Sequence, residues 1–395
     1  MSVIITNADS AKALVVTRSL GRKKIEVVTT GSERLSAAFF SRYSINHFLY
    51  PSPLKSPFGF INTLEKYVIN SKIDVVMPIN SVETLLVSKY KYKLEPHTKV
   101  PFADYSKMIR LHNKEELMKV AEEINLPIPK TYVIKNTNEI RNIAKVIEYP
   151  VVIKIKDSTS SIGVQYAHSE DEFISGYKQV IQKFSIKDAS YYPLVQEYIP
   201  GDGYGVSVLF NQGDLRALFT HKRLREYPVS GGGSTLRESV RSPEMEKIAK
   251  KLLEHVDWNG LAMVEFKMDK RTKKPVLLEV NPRFWGSVNQ AVASGVDFPY
   301  LLYKMAMEGD VDRVLNYKLG VKTRLLMSDM RALFAIFRKT KKPAFVLKEF
   351  INRTECDEVA YDDLLPGFTF LYKGIKELIK NNDLHYGIGK INRKD

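Results

Sequence analysis

Residues 1–105 alternate short apolar runs with amphipathic stretches, and this alternation limits the fold more than any other feature. Residues 3–6, 25–28 and 73–77 read as strands, and residues 11–20, 61–69 and 81–90 as helices around them. Such alternation favours a parallel sheet covered by helices. Ligands of these sheets bind beyond the C-terminal ends of the strands. A crevice is therefore expected at Thr6-Asn7-Ala8-Asp9-Ser10 and at Pro78-Ile79-Asn80-Ser81-Val82-Glu83. Neither loop has the G-x-G-x-x-G spacing of a dinucleotide fingerprint. Asn80, Ser81 and Glu83 equally suit the first turn of a helix, where short polar and acidic side chains satisfy free N–H groups and the helix dipole.

A chain of 395 residues exceeds one ordinary domain and is expected to form two or three. No run of about 18 apolar residues marks a membrane span. The start, Met1-Ser-Val-Ile-Ile-Thr6, is interrupted too soon by Asn7 and Asp9 for a secretory signal. A single cysteine, Cys356, rules out an internal disulfide framework and fits a cytoplasmic protein. The formal charge of +15 favours anionic partners, among which nucleotides, acidic metabolites, nucleic acid and anionic lipid all qualify. With no zinc-finger, RRM or helix-turn-helix signature, no nucleic-acid partner is expected.

The chemistry concentrates in two apolar segments, Ala262-Met-Val-Glu265-Phe and Val276-Leu-Leu-Glu279-Val-Asn281-Pro-Arg283. If these are neighbouring strands, side-chain alternation puts Glu279, Asn281 and Arg283 on one face. Carboxylate and amide oxygens are hard ligands suited to Mg²⁺, which binds through a few carboxylates plus phosphate oxygens. Arg283 would meet a phosphate or carboxylate with its planar fork. Taken alone, E-x-N-x-R also describes an antiparallel hairpin with one solvated, charged face.

The intervening chain supplies further parts. A helix over 113–125 is closed by Leu126-Pro-Ile-Pro129. A strand over 150–154 leads into the polar loop 157–163, and after another helix a strand runs into Gln196-Glu197-Tyr198-Ile199-Pro200-Gly201. Residues 207–220 read as a hairpin turning at 211–214. The stretch 228–234 is too glycine-rich for a regular element, and reads as a linker or a phosphate-facing loop.

In this order the pieces resemble the ATP-grasp superfamily over residues 1–310, in particular its carbamoyl-phosphate-synthase-like and D-aspartate-ligase-like members. The resemblance implies α/β and α+β architecture. A Rossmann-like pre-ATP-grasp domain (1–105) would precede an ATP-grasp domain (106–310) of two subdomains hinged near 196–201. A basic, partly helical C-terminal extension (311–395) would follow. It also implies site residues. Lys114 and Lys154 would contact ATP, the latter reaching the phosphates from its strand. Ser160, Ser161 and Gly163 would cover the phosphates. Glu197, Tyr198 and Ile199 would hold adenine, and Asp202 the ribose. Glu265, Glu279 and Asn281 would ligate Mg²⁺ or Mn²⁺, and Arg283 would stabilise the transferring phosphate. The family has aspartate before its first lysine, whereas this chain has Asn113. Three arginines, Arg223, Arg225 and Arg237, flank the glycine-rich stretch, and are expected to fix a carboxylate substrate and its acyl phosphate, with Arg225 and Arg237 the least assignable individually; surface charge on a mobile loop is the alternative.

The implied activity is ATP-dependent ligation of a small carboxylic acid to an amine through an acyl phosphate, releasing ADP and phosphate. The rivals are a bicarbonate-using carboxylase or carbamoyl-phosphate-type enzyme, and a sensor or scaffold that binds ATP without turnover. Oligomeric state is open, with a homodimer offered by analogy to related folds. In the extension, Met330, Leu333, Phe334 and Phe337 recur at helical spacing among many lysines and arginines over 321–350. Such a helix can lie on an anionic membrane surface, but packing of its apolar stripe on the protein body is favoured.

Overall fold

The computed structural model describes residues 1–157, 162–228, 231–351 and 354–381. The expected parallel sheet is present: β1 (Ser2–Ile5), β2 (Glu26–Gly31), β3 (Ser44–Leu49) and β4 (Val75–Met77) lie in the order β3-β2-β1-β4, all parallel. Helices α1 (Ala11–Arg22), α2 (Pro57–Ser71) and α3 (Ser81–Lys89) follow their strands as the periodicity predicts. β3 was not foreseen, because this edge strand is mostly exposed and its sequence, SINHFL, lacks a clean apolar alternation. The chain leaves β1 toward β2 on one side and returns with β4 on the other, making a topological switch point. The loops after β1 and β4 therefore sit side by side, and Ile79 N donates to Thr6 Oγ1 at 3.1 Å.

A second, antiparallel sheet contains β5 (Thr131–Val133), β6 (Val151–Lys154), β7 (Gln165–Ala167) and β8 (Leu194–Glu197) in the order β5-β8-β6-β7. It has its own core, including Ile134, Ile153, Phe173, Tyr177 and Val195. The third sheet is larger. It contains β9 (Gly201–Asn211), β10 (Asp214–Tyr227), β11 (Gly233–Ser239), β12 (Gly260–Asp269), β13 (Pro275–Asn281), β14 (Lys322–Arg324) and β15 (Glu355–Cys356), ordered β13-β12-β9-β10-β11-β14-β15. The predicted hairpin is β9–β10, longer at both ends than expected. Val3, Val75, Phe102, Phe210, Trp258 and Trp285 belong to one continuous apolar core, so the N-terminal sheet and the large sheet pack as one body. The small sheet stands apart with its separate core.

The C-terminal extension is woven into this body. Its strands β14 and β15 extend the large sheet, and Phe370 of the Leu365–Asn381 helix packs with Ala8, Leu14, Ala37 and Ala38. The expectation for the Leu326–Thr340 helix needs correction. Leu333 is buried, but Met330 and Phe334 are 39% and 48% exposed. The face turned inward is instead largely polar, with Ser328, Asp329 and Arg331 buried beside Ala332 and Leu333. A charged partner on the body, Arg225, explains why: it draws Asp329 inward. Among the described residues no helix is long and apolar enough to cross a membrane.

Asp363 anchors the extension to the N-terminal sheet. Its carboxylate accepts from Arg18 Nε at 2.9 Å, Ser41 Oγ at 2.7 Å and Arg42 N at 2.9 Å, all but out of solvent. Removing one partner of a buried pair leaves the other charge uncompensated. Asp363→Ala is expected to lower stability by about 3–5 kcal/mol, read from the denaturant midpoint, whereas Asp362→Ala on the exposed Arg22 pair should cost at most about 1 kcal/mol.

Candidate active site

The site is laid out on one face of the large sheet. Glu279 on β13 lies directly opposite Glu265 on β12, which faces Gly205 on β9, then His221 on β10 and Ser239 on β11. One row thus crosses five strands. β9 carries no side chain in it: a Cβ at Gly205 would come within 2.4 Å of His221, and one at Gly203 within 2.9 Å of Arg223. The bare strand lets Arg223 lie across β9 and pair with Glu265 two strands away. Both expected strand neighbours are confirmed, and the antiparallel hairpin and the charged cluster are the same object.

Asn281 joins the two carboxylates, its Nδ2 donating to Glu265 Oε1 at 2.9 Å and to Glu279 Oε1 at 3.5 Å. Its Oδ1 accepts from Arg283 Nη2 at 2.6 Å. Arg283 also donates through Nε to Ser81 Oγ at 2.6 Å and through Nη1 to the Phe284 carbonyl at 2.7 Å. A guanidinium has five N–H groups, so one remains on each terminal nitrogen.

Two lysines converge from other elements. Lys114 opens the Lys114–Glu123 helix, where Asn113 is the N-cap: its Oδ1 accepts from Glu115 N and Glu116 N, and its Nδ2 donates to Asp157 Oδ1 at 2.7 Å. Asn113 therefore fulfils the capping task an aspartate would, with an added donor to Asp157 in the loop after β6. Lys114 is buried, with Nζ 3.9 Å from Glu279. Lys154 ends β6, and burial pushes its ammonium down to about 8, opposed by Glu279. The two acids split. Burial, with the Glu279 charge, pushes Glu265 up to about 7 against the pull of Arg223. Burial acts the same way on Glu279, yet Lys114, Lys154, Arg223 and Arg283 outweigh it and hold Glu279 below the usual carboxylate range. His112 is pushed down to about 4 by burial, Lys114 and Arg283, and so is neutral.

The remaining expected residues are placed as follows. Gly163 has φ +71° and contacts Ile155, where a Cβ would come within 2.3 Å, so only glycine fits. Ser160 and Ser161 lie outside the described residues. Glu197 closes β8 and accepts from Arg271 Nη2 at 2.6 Å. Tyr198 packs edge-on against Tyr166 and lies under Lys267, and Ile199 is buried at the turn into β9. Asp202 pairs with Lys222 at 2.8 Å, which lowers its carboxyl. These residues line the passage from the small sheet to the large one.

Arg225 and Arg237 do not join the cluster, which corrects the expected role. A register irregularity in β10 between Arg223 and Arg225 takes Arg225 out of the Arg223 row, and it pairs with Asp329 at 2.8 Å and with Glu349. Arg237 stays opposite Arg223 in register but is fully buried and paired with Asp357. Both guanidinium groups are spent on the C-terminal extension, whose acidic partners carry no motif that would reveal them in advance. Arg223 is the member of the trio that joins the cluster; the signal available was Gly203 facing it on β9.

The donor set suits a divalent cation of the Mg²⁺ type. Among the described residues no group of three His, Cys, Asp or Glu side chains converges. Two carboxylates and an amide are too few to enclose an ion alone, and phosphate oxygens would have to complete the shell, as is usual for Mg²⁺. The arginine on Glu265 holds compensating positive charge beside that carboxylate.

Similarity to known proteins agrees with this geometry. A family model described as "ATP-grasp in the biosynthetic pathway with Ter operon" matches residues 192–327. D-aspartate ligase of Enterococcus faecium is 27% identical over 270 residues, covering 64% of each chain, so the alignment spans less than two thirds of that relative. Biotin carboxylase of Campylobacter jejuni, solved with an ATP analogue, superposes with a TM-score of 0.68 at 16% identity over 81% of this chain and 74% of its own. N5-carboxyaminoimidazole synthetase of Staphylococcus aureus gives 0.64 at 13% identity over 86% of both. Residues 192–327 are thus similar to an ATP-grasp family model, and the overall fold is that of the two superposed structures.

Proposed function

We propose that the protein is an ATP-dependent carboxylate–amine ligase working through an acyl phosphate. The observation that carries this is the convergence of Glu265, Glu279 and Asn281 with Lys114, Lys154 and Arg283 on one sheet face. In-line phosphoryl transfer needs positioning and charge neutralisation rather than a protein nucleophile. Glu265, Glu279 and Asn281 would hold Mg²⁺, which when bound supplies Lewis-acid neutralisation of the phosphate oxygens. Lys154 and Lys114 place compact positive charge on the polyphosphate. The two uncommitted N–H groups of Arg283 meet the transferring phosphoryl group or the carboxylate that receives it.

In the first step a carboxylate oxygen attacks the γ-phosphorus, the bond to the β–γ bridging oxygen breaks, and ADP leaves. In the second an amine attacks the acyl carbon, phosphate leaves, and the amine releases a proton. Glu197, Tyr198 and Ile199 would hold the base and Asp202 the ribose, and Gly163, with Ser160 and Ser161, would cover the phosphates. The separate core of the small sheet suits a subdomain that clasps nucleotide against the floor.

Glu279→Gln removes the charge that holds both lysines, and is expected to abolish ATP turnover while leaving the far-UV circular dichroism unchanged; normal turnover would remove Glu279 from the metal set. Lys154→Ala should weaken ATP binding several-fold by equilibrium dialysis, and an unchanged affinity would take it out of the site. The raised carboxyl of Glu265 gives a pH signature. A protonated acid must lose its proton before it can ligate, so Mg-ATP binding should release a proton and weaken as pH falls below about 7. Calorimetry in buffers of different ionisation enthalpy reads this directly, and proton uptake would contradict it.

A further inference from the structure

The C-terminal extension keeps an apolar surface that the described fold does not cover. In the Leu326–Thr340 helix the buried face carries Asp329 and Arg331, while Met330, Phe334 and the half-buried Phe337 turn outward at helical spacing. The Leu365–Asn381 helix buries Pro366, Phe370 and Gly374 on one side. Its opposite side exposes Leu365, Phe368, Leu371, Tyr372 and Ile375, the first two at 64% each. A helix that is apolar on both faces is expected to be covered on both. The two helices meet at Met327 and Gly374, where a Cβ on the glycine would come within 2.6 Å of Met327. Met330 lies one turn from Met327, and Leu371 and Ile375 flank Gly374, so the two exposed stripes adjoin as one patch.

The charge around this patch has one sign. The acids of residues 326–376 are all engaged within the protein. Asp329 and Glu349 meet Arg225, Asp357 meets Arg237, Asp362 meets Arg22, and Asp363 meets Arg18. Glu355 accepts from Asn289, and Glu358 from the N–H groups of Leu326 and Met327. The cations are left outside. Arg338, Lys339, Lys341 and Lys342 continue from the outward stripe, are exposed, and make no ion pair with a described residue. The Arg338 guanidinium lies 5.7 Å from the centre of the Phe334 ring, which joins the basic cluster to the apolar patch.

We propose that this face docks the protein on an anionic lipid surface. Phe334, Phe368, Leu371 and Ile375 enter the headgroup region, and Arg338, Lys339, Lys341 and Lys342 meet the lipid phosphates. Aromatic and aliphatic side chains beside uncompensated cations are the composition that an anionic interface holds. Among the described residues no helix can cross a membrane, so the attachment lies at the surface. A second copy suits the patch less well. Two-fold pairing sets the same patch against itself, and would bring two uncompensated basic clusters together in a chain whose formal charge is already +15. Docking is independent of the reaction assigned to the large sheet.

The test is flotation of the full chain with two kinds of vesicle, phosphatidylcholine alone and phosphatidylcholine mixed with phosphatidylglycerol. The protein should float with the mixed vesicles only, and less in about 1 M salt, where screening shortens to about 3 Å. Replacing Lys339, Lys341 and Lys342 together by Gln should lower the partition coefficient on the order of 100-fold. Phe334→Ser with Phe368→Ser should lower it at least ~10-fold. Both variants alter only exposed side chains and should keep the parent Tm, which shows that they fold. No flotation with the mixed vesicles, equal flotation with both kinds, or flotation that neither variant weakens would overturn the proposal. A lipid-free dimer in sedimentation velocity that the serine variant dissociates would assign the patch to a second copy. Binding of a DNA duplex in place of vesicles would assign the cations to nucleic acid. Either result would overturn it too.

Discussion

Two half-buried carboxylates directly opposite one another on adjacent strands repel, and the rest of the site is organised around that repulsion. Glu265 and Glu279 are kept in place by positive charge brought from different elements: Arg223 across the bare strand β9, Lys114 from a helix start, Lys154 from the end of β6, and Arg283 just beyond β13. The surrounding cations do not compensate the two acids equally. Glu279 receives most of the compensation and stays ionised, while Glu265 is left close to neutrality. A cluster of this kind is poorly justified by stability, since buried ion pairs often do no better than apolar packing. It is well suited to receiving a polyanion and its counter-ion.

The same economy of charge ties the extension to the body. Arg18, Arg225 and Arg237 are buried on the body side, and Asp363, Asp329 and Asp357 meet them from the extension. With β14 and β15 completing the large sheet, the extension becomes a brace that joins the N-terminal sheet to the strands beside the site. The crevice at the switch point is built between these braced parts.

Local pattern carried much of the fold. The parallel sheet, its helices, the switch-point loops and the β12–β13 pair were legible because apolar runs of strand and helix length alternate with clear turn residues. β3 was not, since an exposed edge strand needs no apolar alternation. In the site, Lys114, Lys154, Glu265, Glu279, Asn281 and Arg283 lie on or next to regular elements, where period and order place them. Arg225 and Arg237 were misplaced for a physical reason: whether a strand arginine faces a ligand or an acid depends on a register irregularity and on partners about 100 residues away, neither of which leaves a local signal.

Nucleotide product analysis tests the central claim most directly. The protein would be incubated with Mg-ATP, pooled small carboxylic acids including amino acids, and hydroxylamine. ADP, phosphate and a hydroxamate, all dependent on the pool, are the predicted result. AMP and pyrophosphate would show adenylation instead of phosphoryl transfer to the acid, and would contradict the role assigned here to the carboxylate floor and Arg283.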